Sequence, residues 1–223
     1  MPDGQYSFYL HSDDRTDIAA MATISTISQP LRGEFIRTAA TAGAVVYQVD
    51  ARLPALIPVF FAGQLSAVRL CVVMALVSGT WSSLTGLPDE PENGEAALPV
   101  SPETEYQRRR YTLTLQNGRS GERVESVLTE ASSRLRGDLL RNLIITGLAL
   151  HTTAPELPRL LASMPVPPTS VSELQALVQQ MAGTADVNRA AAAVPDTPAA
   201  SAAPVSGSDT REIKKNMRRA FGD

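Results

Sequence analysis

The first apolar rhythm along the chain has a period of two. Tyr6, Phe8 and Leu10 alternate with Gln5, Ser7, Tyr9 and His11, and Tyr111, Leu113 and Leu115 alternate with Arg110, Thr112, Thr114 and Gln116. Successive side chains of a strand point to opposite faces, so each run predicts a short strand with one apolar and one hydrogen-bonding face. After each strand the period lengthens. Ile18, Met21 and Ile24, and later Val124, Val127, Leu128 and Ala131, recur at helical spacing. Helix starts are predicted at Ser12-Asp13-Asp14 and at Ser120-Gly121-Glu122, where a hydroxyl can cap and acids suit the helix N-terminus.

A second helix is predicted from Phe35, Ile36, Ala39, Ala42, Gly43 and Val46, and again from Leu139, Leu140, Leu143, Ile144, Gly147 and Leu150. Leu53-Pro54 and Leu157-Pro158 suit helix starts, because proline is tolerated in the first turn. Ser170 and Glu173 have capping-box spacing ahead of a stripe of Val171, Leu174, Leu177, Val178 and Met181. The run Leu70 to Val77 is apolar all round, which predicts burial on more than one side. That helix is the candidate for contact between halves or between chains.

These pairs of elements are copies. LRGEFIR at Leu31 to Arg37 answers LRGDLLR at Leu135 to Arg141, and Gly43, Leu53-Pro54, Leu70 and Gly79-Thr80 answer Gly147, Leu157-Pro158, Leu174 and Gly183-Thr184. The offset is 104 from Leu31 onward, and Tyr6 to His11 answers Tyr111 to Gln116 with one residue of difference. A constant offset over that length is an internal duplication. The matched glycines each cost a helix about 1 kcal/mol relative to alanine, so close approach of another backbone is the expected compensation.

The expected architecture is mainly α with short β ribbons, in tandem strand-helix-helix units each followed by further helices. The expected segments are a first domain over 1–80, an acidic Pro-rich linker over 81–105, a second domain over 106–185, a flexible Ala/Pro/Ser linker over 186–208, and an amphipathic basic helix over 209–223.

Charge changes the picture once it is counted by segment. The net charge is −3, which argues against a nucleic-acid partner, but residues 81–105 hold six acids and no base. Residues 106–183 hold nine arginines against six acids, and residues 209–223 five bases against three acids. Phosphate attraction follows the field within a Debye length, so the second half can still attract DNA.

Candidate chemistry narrows the classes further. One cysteine, Cys71, and two histidines, His11 and His151, cannot build a disulfide framework or a Cys/His metal cluster. Cys71 reads as core packing. No Gly-rich phosphate loop, nucleophile with base and orienting acid, or paired carboxylates stand out, so neither an enzyme nor a cofactor is expected. The N-terminus lacks a basic segment followed by an apolar run, and Leu70 to Val77 is too short to span a bilayer. A soluble, cytoplasmic protein associated with nucleoid or plasmid, without a membrane partner, is the expectation.

The order of strand and two helices around LRGDLLRNLIITGLALH, followed by Leu-Pro helices, a polar linker and a terminal IKKNMRRAF, resembles the ParR family. These are ribbon-helix-helix, centromere-binding adaptors of actin-like plasmid partition systems. The resemblance implies that two strands pair antiparallel and enter the DNA major groove. Members carry one such domain per chain and work as dimers, so the duplication departs from the pattern. One chain could supply both strands or chains could exchange them, since a linker of about 25 residues spans up to roughly 80 Å.

On that resemblance Arg110, Thr112, Thr114 and Gln116 reach base edges, with Arg108 and Arg109 flanking. Arg136 and Arg32, at the starts of the second helices, clamp phosphates. Gln5, Ser7, Tyr9 and His11 carry no formal charge and contribute less to affinity. Exposed threonines also suit any strand, and a solvated helix start is the plain reading of Arg136.

The tail completes the resemblance. Ile213, Met217 and Phe221 recur at i, i+4 and i+8, with Lys214, Lys215, Arg218 and Arg219 around them. Such a stripe reads as a helix that folds into a partner's groove. The resemblance implies that this partner is the end of a filament of an actin-like (ParM-like) ATPase, and that the protein self-associates on repeated double-stranded DNA sites. The alternatives are a ribbon-helix-helix transcriptional repressor with an incidental tail, and a helical interaction protein that binds no DNA.

Overall fold

Each copy of the repeated sequence starts with a strand, and the two strands meet. The computed structural model describes residues 4–80 and 107–192, with side chains up to 183. The acidic linker, most of the Ala/Pro/Ser segment and the basic tail lie outside the described residues. The first copy runs β1 (Gln5–His11), α1 (Arg15–Ser25), a 3-10 turn (Gln29–Leu31), α2 (Arg32–Val49), α3 (Leu53–Phe60) and α4 (Ala67–Ser78). The second runs β2 (Arg108–Thr114), α5 (Arg119–Glu130), α6 (Arg136–Thr153), α7 (Leu157–Ser163) and α8 (Val171–Ala192). The described residues are thus mainly helical, with one short antiparallel two-stranded sheet among them formed within a single chain.

The long helices α2 and α6 cross at the centre. A β-carbon on Gly43 would overlap the backbone of Leu143, and one on Gly147 would overlap the backbone of Ala39. Sequence position 39 corresponds to 143 and 43 to 147, so the two contacts are related by a local twofold axis. Glycine is required because each helix backbone occupies the space of the other's side chain. The close approach expected from the matched glycines is therefore between α2 and α6.

Around this crossing the copies interleave. α3 packs on α6 and α7 on α2, while α5 packs on α2 and α1 on α6. The second helix of each copy is covered largely by the other copy. Phe8 and Leu10 of β1 and Leu113 of β2 close one end of the same core, which also holds Val45, Leu53, Leu143, Ile144 and Leu157. The described residues up to Asn188 accordingly form one compact unit.

Local differences from the expected elements have identifiable causes. On α1 the buried line is Asp17, Ala20 and Ile24, not Ile18 and Met21, which are only half-buried. α5 starts at Arg119, with Gly118 as its cap at φ +134°. Ser120, expected to open that helix, lies inside the first turn and donates to Ala162 O at 3.4 Å. At α8, Glu173 N donates to Ser170 Oγ at 3.2 Å, and the Glu173 carboxylate accepts from Thr169 N at 2.8 Å, which holds its carboxyl below the ordinary glutamate value. The helix continues to Ala192, past the change of composition at Asp186, as its alanines favour. Within α4 the run Leu70 to Val77 is buried except for Val72 and Leu76, and the Cys71 thiol meets Gln179 of α8, joining the two copies.

Candidate nucleic-acid interface

The ribbon presents the polar face predicted from its alternation. Ser7 stands opposite Thr112, Gln5 opposite Thr114, Tyr9 opposite Arg110 and His11 opposite Arg108. Phe8, Leu10 and Leu113 point into the core, which fixes the other face outward, because a slip of one residue would expose all of them. Arg108, Arg110, Thr112, Thr114 and Gln5 are exposed, and Ser7, Tyr9 and His11 are half-buried.

The arginines of this face are held in place. Arg110 donates through Nη2 and Nε to Ser7 Oγ at 3.0 and 3.2 Å. The Arg108 guanidinium lies 3.5 Å above the Tyr9 ring centre. Arg109 belongs to the other face, where it lies 5.2 Å from the ring centre of Tyr111. Tyr111 in turn stacks on Phe8 with centroids 5.2 Å apart. Gln116 follows the strand and is exposed at its end.

Arg32 and Arg136 flank the ribbon at the starts of α2 and α6. Arg32 Nε donates to Ile27 O at 2.8 Å and Nη2 to Ser25 O at 3.3 Å, and Arg136 Nε donates to Ala131 O at 3.3 Å. Both thus tie the preceding loop to the helix. Each also acts on a ribbon tyrosine of the other copy: Arg136 on Tyr6 and Arg32 on Tyr111. Burial nevertheless pushes both phenols up, with Glu125 adding to the shift at Tyr6. The backbone of Gly137 lies beside Ser7 O, so α6 begins directly against β1.

The two ends of the ribbon are buttressed differently. At the His11 end Asp17, 1% exposed, accepts from His11 N at 2.8 Å and from Arg141 Nε at 2.7 Å, with Arg141 Nη2 in ion-pair contact with the same oxygen at 2.6 Å. Asp14 caps α1 by accepting from Asp17 N at 2.9 Å and lies 3.3 Å from Arg141. Burial pushes the Asp17 carboxyl above its ordinary value, against the pull of Arg141 and of the His11 N–H. At the other end Gly121 takes the place of Asp17 and sits against the carbonyl of Gln116. Arg37, the counterpart of Arg141, pairs there with Glu34 of its own helix at 2.7 Å. A cavity of about 320 Å³ opens at that end beside Gln116, Arg119, Arg37 and Arg159.

Asp17 and Arg141 were not singled out by sequence reasoning. One signal was present: both heptapeptides end in arginine, while only the first copy carries acids at Asp14 and Asp17. The filament-binding candidates Ile213, Lys214, Met217, Arg218 and Phe221 lie outside the described residues. Among the described residues there is no cluster of His, Cys, Asp and Glu that could hold a metal, and no helix long and apolar enough to cross a membrane.

A family model described as plasmid stability protein matches residues 4–74 and matches again over residues 109–178. The chain belongs to the plasmid stability protein family. Its two matches coincide with the two copies read from the sequence, so the duplication is a duplication of the family's own unit. No curated protein and no solved structure matches the chain. Membership supports a role in plasmid maintenance.

Proposed function

We propose that the protein is a DNA-binding partition adaptor of ribbon-helix-helix type, with two strand-helix-helix units fused in one chain. The carrying observation is the antiparallel ribbon with Arg108, Arg110, Thr112 and Thr114 outward and Phe8, Leu10 and Leu113 in the core. A two-stranded ribbon fits the major groove, where arginine pairs with guanine and threonine meets either edges or the thymine methyl. Arg32 and Arg136 flank it where phosphates would run. The DNA partner is a set of centromere-like repeats on the plasmid, on which copies of the protein assemble side by side.

The tail supplies the second half of the proposal. Its apolar positions Ile213, Met217 and Phe221 dock in a groove of an actin-like ATPase filament, and Lys214 and Arg218 steer the approach. ATP hydrolysis belongs to that partner, and the adaptor itself catalyses nothing. Binding to DNA adjoining its own gene, titrated by fluorescence anisotropy at several salt concentrations, tests the reading. Expected is specific binding that weakens with salt, and a loss of about 1–3 kcal/mol in Arg110→Ala. Salt-insensitive retention, or none, would remove DNA reading and leave a helical interaction protein.

A further inference from the structure

The ribbon is symmetric in its backbone and unsymmetric in what it presents. Along the strands the copies are offset by 105, and Ser7 pairs with its own counterpart, Thr112, so the local twofold axis passes between these two residues. Rotation about that axis carries Gln5 onto Arg110, Tyr9 onto Thr114 and His11 onto Gln116. None of these pairs conserves chemistry. One end of the outward face therefore presents Arg108 and Arg110 with Tyr9 and His11, and the other end presents Gln5 and Thr114 with Gln116 beyond it.

The arginines are also fixed where they are. Ser7 Oγ holds Arg110 and the Tyr9 ring carries Arg108, so neither guanidinium is shared evenly along the ribbon. The supports beneath the ends differ in the same sense, with the Asp17–Arg141 pair at one and Gly121 at the other. A dimer of identical chains imposes equal half-sites on its DNA. Here the fusion has removed that constraint, and the side chains have diverged.

We propose that one chain binds DNA in a single orientation on a non-palindromic site. Guanine-bearing pairs lie under the Arg108–Arg110 end, because a guanidinium matches guanine O6 and N7. Adenine and thymine lie under the Gln5–Thr114 end, where an amide matches adenine and the threonine methyl meets the thymine methyl. Turning the protein around places both arginines over pairs that lack that acceptor pair and the amide over guanine. This assignment rests on the DNA-reading proposal above.

The test uses the full chain at fixed salt. Bound duplexes are enriched from a library with a random core, and the winner is compared with two symmetrised versions, each repeating one half-site as an inverted repeat. Expected is a non-palindromic motif, with both symmetrised duplexes bound about tenfold or more weakly. Arg110→Ala should flatten the preference at the guanine end alone. Gln5→Arg should strengthen binding to the duplex that carries the guanine half-site twice, a gain that misfolding cannot imitate. A palindromic motif, equal binding of the symmetrised duplexes, or salt-sensitive binding with no motif each overturns the orientation while leaving DNA binding intact. Absence of salt-sensitive binding to any duplex overturns the DNA reading itself and this proposal with it.

Discussion

Gly43 of α2 lies against the backbone of Leu143 of α6, so close that a β-carbon on it would overlap the Leu143 carbonyl. The mirrored contact of Gly147 with Ala39 makes the crossing of the two long helices the centre of the pseudo-dimer. Everything that reads DNA in the proposed function is held by this crossing, since α2 and α6 carry Arg32 and Arg136 at their starts and α6 begins against β1.

Alanine at either glycine must push the helices apart. Gly43→Ala and Gly147→Ala should each cost about 3 kcal/mol, the upper part of the range for overpacked cores. Gly33→Ala is the control, because the nearest atom to its β-carbon would be an arginine nitrogen at 3.7 Å. That change should be neutral or stabilising by up to about 1 kcal/mol. Urea denaturation of the three variants makes the comparison.

The Asp17–Arg141 pair gives a pH signature. Burial raises the Asp17 carboxyl in the folded state, so its contribution to stability is fullest below the ordinary carboxylate pKa and declines as pH rises through the folded value. Arg141→Ala removes a pull downward and leaves a buried carboxylate without its cation. At neutral pH the variant should lose about 3 kcal/mol. Its deficit should shrink as pH falls through the raised Asp17 value, because the carboxyl takes up its proton before the pH reaches about 4, the ordinary carboxylate value. Denaturation midpoints of both proteins across that range would show the two curves converging.

Interleaving makes the copies dependent on each other. A chain ending after residue 105 would keep α2 but lose α5 and α7, which pack on it, and would leave β1 without its partner. It should remain unfolded as a monomer, and recover helical circular dichroism only on mixing with residues 106–223 or on self-association. A cooperative unfolding transition of the monomeric first half would contradict the shared core.

The tail separates DNA binding from filament attachment. Changing Ile213, Met217 and Phe221 together to serine keeps every charge and abolishes the apolar stripe. Filament co-sedimentation should fall by about a hundredfold or more in affinity, as expected when three apolar anchors are lost. DNA affinity should stay within about twofold, since the phosphate term depends on charge. The opposite pattern would favour a repressor whose tail serves DNA.

Periodicity and repetition were readable from the sequence because both are local. Alternation of Phe8 and Leu10 with Ser7 and Tyr9 identified which ribbon face goes inward, and the constant offset identified the copies. The matched glycines announced a close approach, since only that compensates glycine inside a helix. What they approach could not be read. Whether the strands pair within one chain, and with Ser7 opposite Thr112, depends on a closure across residues 81–105 whose cost changes only slowly with length. Asp17 looked like any acid at a helix start, because its burial is created by α6 arriving with Arg141 from the other copy. The unlike ends of the ribbon belong to the same class. Their residues are plain in the sequence, but only antiparallel pairing about Ser7 and Thr112 gathers Arg108 and Arg110 at one end and Gln5 and Thr114 at the other.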